Sequence, residues 1–280
     1  MFEIPLSVAF LFCILAGLFL GSLFNRLILR MPFDKPLFPR EVSACCQKRM
    51  PFIVNLPVLG FFLLKGKCPH CKNKLPKFRL FVEIFTPVVA VVAFIFGSML
   101  HHSLDNFYNT AKLYDIFVLE WFFLTLIPVF YIDFKYHLIP DTVTVGSIVF
   151  GILISFVPGH LTPLESVIHA LISFVSLYLF IKIIAKILKK NAMGFGDIKM
   201  FAGFGAIFSF PLAVESLILA SVLGVCIVFP VRLLWSKAFQ TKEQINPGEF
   251  PFGPFLAVSA PIIYVFGNKI LDYYLSLFVV

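Results

Sequence analysis

Two stretches of this chain put carboxylates where carboxylates are scarce. One is "YIDFKYHLIPD", holding Asp133 and Asp141; the other is "GFGDIKM", holding Asp197. Both border long apolar runs, in a chain with 15 Asp and Glu among 280 residues. Asp133 ends one run, Asp141 starts the next, and Asp197 starts a third. Asp133 and Asp197 stand 64 residues apart, yet the runs place them at the same end of the helices they would form. Two carboxylates in one site cannot both ionise easily: one keeps its proton as an acid while the other acts as a base on water. This aspartic-protease chemistry needs neither a metal nor a nucleophilic side chain. Singly, Asp141 and Asp197 read as ordinary helix N-caps and Asp133 as a boundary residue. Gly194 and Gly196 favour the catalytic pair, because they remove side chains where a second backbone, such as a scissile peptide, must come close. A phosphate loop would want Lys-Ser/Thr after the glycines and no carboxylate facing the anion. Lys199 is placed either to tune Asp197 or to reach outward to solvent.

A second group with chemistry is "CPHC", Cys68 to Cys71. A CxxC turn brings two thiolates to one tetrahedral ion. A partner CxxC is expected upstream, where the chain reads "SACCQKRM". Cys46 lies 22 residues before Cys68, and Ser43 stands where the fourth cysteine belongs. Cys45 is the substitute donor, with His70 a further possibility. A structural zinc held by Cys45, Cys46, Cys68 and Cys71 would staple a segment with little apolar core. The alternative is a loop without metal, its CxxC a remnant or a redox pair. Cys13 and Cys226 fall inside apolar runs and read as packing residues.

The elements that must position these groups are membrane helices. The composition is 60% hydrophobic and 14% charged, against about 25% charged in soluble domains, and the mean hydropathy is +0.96. Apolar runs fall at about 5–28, 80–100, 116–132, 142–158, 165–188, 198–211, 213–234 and 252–270. They are continuous, as helices crossing a bilayer require, and do not alternate as barrel strands do. The expected fold is an all-α polytopic membrane protein with about eight transmembrane helices. Three parts follow: a first transmembrane helix over 1–30, a basic cysteine-bearing loop over 31–79, and a transmembrane core over 80–280. The first run lacks a basic leader and a small-residue cleavage site, so it reads as a retained span. With the N-terminus outside, 21 of the 23 Lys and Arg fall on the cytoplasmic side, as the positive-inside rule asks. The net charge of +8 is thereby a topology signal, and nucleic acid is not an expected partner; the lipid bilayer is.

Six ordered motifs resemble one family, the bacterial type IV prepilin leader peptidases, which are GxGD aspartyl proteases also called prepilin peptidase/N-methyltransferases. "GSLFNRLILRMP" resembles GSFLNVxIxRLP, and "NLPVLGFFLLKGKCPHC" resembles NIPxxSxxxxxGxCxxC. "RLFVE" resembles RYPxVE, "YIDFKYHLIPD" matches IDxxxxxIPD, "AMGFGDIKM" resembles GMGxGDxKL, and "FPFGPFLA" resembles IPFGPFLA. The resemblance implies that Asp133 and Asp197 are the catalytic pair. It implies cleavage of a short basic leader, usually between Gly and Phe, from type IV prepilins and type II secretion pseudopilins at the cytoplasmic face of the bacterial inner membrane. It further implies N-methylation of the new N-terminus from S-adenosylmethionine, and a metal site of pattern C-x2-C-x21-C-x2-C on the loop. The chain departs from the pattern at Ser43, at Leu80-Phe81 and at Ala192; the catalytic motifs are intact. Two other functions stay open: a GxGD intramembrane protease with another membrane substrate, and a non-enzymatic assembly or transport protein with a metal-stabilised docking loop. A transporter would place ionisable groups near the bilayer midplane, and these carboxylates sit at the rim.

Overall fold

The computed structural model describes residues 6–30, 56–75, 77–99, 110–157, 161–189, 193–238 and 251–276. Among them the regular structure is helical, apart from one isolated bridge between Lys67 and Lys74. The helices are α1 (Leu6–Arg30), α2 (Leu59–Leu63), α3 (Lys77–Met99), α4 (Thr110–Tyr136), α5 (Asp141–Ile154), α6 (Pro163–Leu188), α7 (Phe195–Phe208), α8 (Phe210–Ala238) and α9 (Gly253–Ser276). The protein is an all-α polytopic membrane protein: six of the described helices, α1, α3, α4, α6, α8 and α9, are long and apolar enough to cross a bilayer. The eight expected spans correspond to these six plus α5 and α7. Those two have 14 residues each, about 21 Å of helix, short of a hydrocarbon core of about 30 Å.

Local chemistry sets the breaks. Pro140 is the extended residue before α5 (φ −62°, ψ 134°). A reciprocal capping box opens α6: Thr162 N–H donates to Glu165 Oε2 at 2.8 Å, and Glu165 N–H donates to Thr162 Oγ1 at 3.4 Å, with Pro163 at the first helical position. The break between α7 and α8 lies at Ser209, whose φ of 92° stops the helix. Pro211 sits inside the first turn of α8, where its missing N–H costs nothing.

The chain forms two compact units. One takes in α1, α2, α3 and residues 119–128 of α4; the other takes in both ends of α4 together with α5 to α9. In the first, α1 packs along α3, and Cys13 on α1 is buried, its thiol donating to Glu120 Oε1 at 3.5 Å. Cys226, read from sequence as a packing residue, is instead exposed on α8.

In the second unit α7 packs against α5, α6, α8 and α9. Asp197, Ile198 and the whole run Met200–Phe208 are buried. In lipid, helices associate by close packing and hydrogen bonds rather than by hydrophobic exclusion, and α7 shows both. Gly203 lies so near α5 that a Cβ there would be 2.6 Å from Ser147 Cβ. The last-turn carbonyls of α7 are bonded from outside: Ser166 Oγ donates to Ala206 O at 2.7 Å and Tyr114 Oη to Ile207 O at 3.1 Å. Asp115 is buried, and the Tyr264 hydroxyl of α9 donates to it.

Candidate active site

Asp133 sits in the last turn of α4 and Asp197 in the first turn of α7, both buried. They belong to the same unit, and they lie close enough for the charge of Asp133 to act on Asp197. Asp133 Oδ2 accepts the backbone N–H of Gly253, the first residue of α9, at 2.9 Å. A carboxylate there also gains from the positive end of the helix dipole. Beyond Asp133 the chain must turn sharply. His137 does so at φ 52°, with its N–H donating to Asp133 O at 2.9 Å.

Asp197 is the third residue of α7, and the N–H of Gly194, the residue before the helix, lies near enough to favour its charged form. Its Oδ1 is buried and has no hydrogen-bond partner among the described residues. An unmade bond to a buried carboxylate oxygen is costly. Asp197 lies outside the six spanning helices. Burial, with the charge of Asp133 beside it, pushes its carboxyl up to about 7, against the pull of the Gly194 N–H. An acid so shifted keeps its proton below about pH 7 and loses it above. If Asp197 supplies the acid of the pair, cleavage should therefore fall as pH rises through about 7, by about tenfold per unit for one proton. Measured kcat/KM that stays flat into strongly alkaline buffer would remove Asp197 from that role.

Comparison with known proteins bears on this pair. A model of the "Type IV leader peptidase family" matches residues 121–229, which include both aspartates, and a model of the "Bacterial Peptidase A24 N-terminal domain" matches residues 15–96. Over these two regions the chain resembles the type IV leader peptidase family. Relatives named "Prepilin leader peptidase/N-methyltransferase" are similar over nearly the full length. The one from Bacillus subtilis is 28% identical, covering 97% of this chain and 98% of its own. That from Aeromonas salmonicida is 25% identical, covering 96% and 94%. That from Legionella pneumophila is 26% identical, covering 85% and 76%. No solved structure matches the chain.

Gly196 of the GFGD stretch does something other than expected. The room beside Gly196 is filled by the protein itself: a Cβ there would be 3.1 Å from Ile139 Cβ and 3.5 Å from Ile139 O. The glycine thus admits the turn between α4 and α5, rather than being held open for a substrate backbone. Ile139 also reaches Gly253, where a Cβ would be 2.9 Å from Ile139 Cδ1 and 2.8 Å from Asp133 Oδ2. Three separate motifs of this family, around Asp133, Asp197 and Gly253, meet at Ile139. In the sequence Gly253 is one residue of "FPFGPFLA" with no evident role; its one signal is a glycine at the first position of an apolar run.

Lys199 does not tune Asp197. Its ammonium pairs with Asp141 Oδ1 at 2.7 Å and lies 5.0 Å from the centre of the Phe195 ring. With Asp141 exposed, such a pair contributes at most about 1 kcal/mol. Asp141 caps nothing with its side chain; Pro140 holds the cap position.

The cysteine turn is ordered by backbone bonds. Cys68 N–H donates to Asn73 O at 2.8 Å and Lys72 N–H to Cys68 O at 3.0 Å. Cys68 is buried and Cys71 half-buried, so the turn offers two of the four donors a tetrahedral zinc takes. Cys45 and Cys46, the other two expected ligands, lie outside the described residues. Among the described residues no three His, Cys, Asp or Glu side chains gather into a metal site.

Proposed function

We propose that this chain is a membrane aspartic endopeptidase that removes the leader from type IV prepilins and type II secretion pseudopilins at the cytoplasmic face of the bacterial inner membrane. The observation that carries the reading is the convergence of two buried carboxylates, Asp133 and Asp197, with Asp197 Oδ1 lacking a partner among the described residues. One carboxylate takes a proton from water, whose oxygen adds to the scissile carbonyl carbon. The other, protonated, supports the developing oxyanion and then gives its proton to the leaving nitrogen as the C–N bond breaks. Both groups are side chains of the protein, so the chemistry needs no bound cofactor. The Gly253 N–H holds Asp133 in place through this exchange. The bias of Lys and Arg supports an inward-facing site, and a pilin with an apolar stem could enter from the bilayer beside the helices.

The names of the relatives support a second activity, N-methylation of the new N-terminus. S-adenosylmethionine would supply the methyl group. Zinc, if the loop holds it, would sit on Cys68 and Cys71 with Cys45 and Cys46 completing the set, and would stabilise the loop without entering either reaction.

Mass spectrometry of a co-expressed prepilin tests these readings together. The expected product has lost its leader and carries one added methyl group at the new terminus. An uncut prepilin beside a cut membrane protein of another kind would favour the intramembrane protease. An uncut prepilin with no other membrane protein cut would sink the peptidase assignment.

A further inference from the structure

Glu83 is a buried acid that the Asp133/Asp197 chemistry does not use. It lies on α3 with 1% of its surface exposed. Its oxygens take donors from three parts of the chain. Oε1 accepts from Asn25 Nδ2 of α1 at 3.1 Å and from Arg79 Nε, one turn earlier on α3, at 3.2 Å. Oε2 accepts the backbone N–H of Val58 at 2.7 Å. Asn25, itself buried, also donates to Arg79 O at 2.9 Å.

Val58 is the end that matters. It precedes α2 with φ 60° and ψ −52°. A β-branched residue holds such a conformation only when its surroundings force it, and the carboxylate of Glu83 grips its N–H. From Val58 the chain runs through α2 into the turn of Cys68 and Cys71. Glu83 thus sets where the segment 56–75 starts and in which direction. A buried ionic cluster is rarely the cheapest way to fasten a loop, which points to a task beyond stability.

The two matched models divide the chain: residues 121–229 hold both aspartates, and residues 15–96 hold the Glu83 cluster and four of the six cysteines, Cys45, Cys46, Cys68 and Cys71. The relatives' names carry two activities. We propose that Glu83 is a positioning residue for methyl transfer and not for cleavage: it holds segment 56–75 in the pose the methylation step requires. This rests on the two-activity reading above. In that step the lone pair of the pilin's new terminal amine forms the N–C bond. The methyl–sulfur bond of S-adenosylmethionine breaks, its electron pair leaves on the neutral thioether, and the amine's surplus proton passes to water.

The test is Glu83→Gln in the full-length protein, solubilised in detergent with a prepilin and S-adenosylmethionine. Leader cleavage should stay within roughly twofold of wild type, while methylated product falls at least about tenfold. Trypsin nicking at the exposed Lys65, Lys67, Lys72 and Lys74 should quicken by about tenfold as the segment loosens. Adding Val58→Gly to Glu83→Gln should restore both methylation and protection, because glycine adopts this backbone without being gripped. Methylation and nicking unchanged in Glu83→Gln would overturn the inference and leave the two-activity reading intact. Cleavage and methylation falling together would overturn it too, by making Glu83 a residue of general stability. A wild-type protein that cuts its substrate but never methylates it would overturn the inference along with the methyl-transfer reading, and would leave the peptidase standing.

Discussion

Replacing Asp133 or Asp197 with asparagine is expected to abolish prepilin cleavage while the protein still inserts in the membrane. Asparagine keeps the size, and its amide oxygen can still accept a hydrogen bond. The Asp133→Asn variant can therefore keep the bond from the Gly253 N–H, which Asp133 accepts at 2.9 Å. What the amide cannot do is take or give a proton at the pH of the cell. General acid–base catalysis of this kind contributes about 10²–10⁴-fold. Losing either half of a pair that acts as a unit should therefore cost at least about 10³-fold, roughly 4 kcal/mol of transition-state stabilisation. The double variant should be no worse than either single one, because the second substitution removes a partner already idle. Cleavage assays on purified variants, with KM measured alongside, check this. Near wild-type turnover in either single variant would end the assignment of the pair.

Much of this pair was legible from composition. In an apolar chain an aspartate at the edge of a run is conspicuous, and two at the same edge are more so. What surrounds the pair was not legible. The Gly253 N–H that bonds Asp133 lies 120 residues away, and no periodicity links the two positions. Gly196 was misread for the same reason. Its neighbour Ile139 is one apolar residue among many until the turn at His137 brings it there. The clamp on Glu83 joins residues 25 and 58 positions apart in sequence, so one line of text shows a lone glutamate at the mouth of a helix.

Hydropathy located the helices but not all of their ends. Runs at 142–158 and 198–211 were long enough to read as spans, but α5 stops at Ile154 and α7 at Phe208. Apolarity cannot tell lipid from protein as a neighbour. Phe201 and Phe204 of α7 are 1% exposed, while Phe180 of α6 is 60% exposed. The better cue was the small residues of α7, because helices approach closely in lipid where side chains are small. Gly203 and Gly205 mark α7 as the helix that others surround.

The second large effect is expected from Gly253→Val. Gly253 is the buried first residue of α9, and its N–H is the donor the structure gives to Asp133 Oδ2. A side chain has no room there: the new Cβ would lie 2.8 Å from Asp133 Oδ2 and 2.9 Å from Ile139 Cδ1. One neighbour is the Asp133 carboxylate and the other is wedged against Gly196, so neither can yield without disturbing the pair. The end of α9 must move instead, and the hydrogen bond opens. Hydrogen bonds to charged groups are worth about 1.5–3 kcal/mol, which corresponds to a loss of about 10–150-fold in rate. The loss should appear in kcat with little change in KM, because Gly253 acts on Asp133 and not on the distant parts of the substrate. Gly253→Ala, with the same Cβ and nothing beyond it, should fall between wild type and valine. A valine variant that folds, stays in the membrane and cleaves at the wild-type rate would show that Asp133 needs no donor from α9.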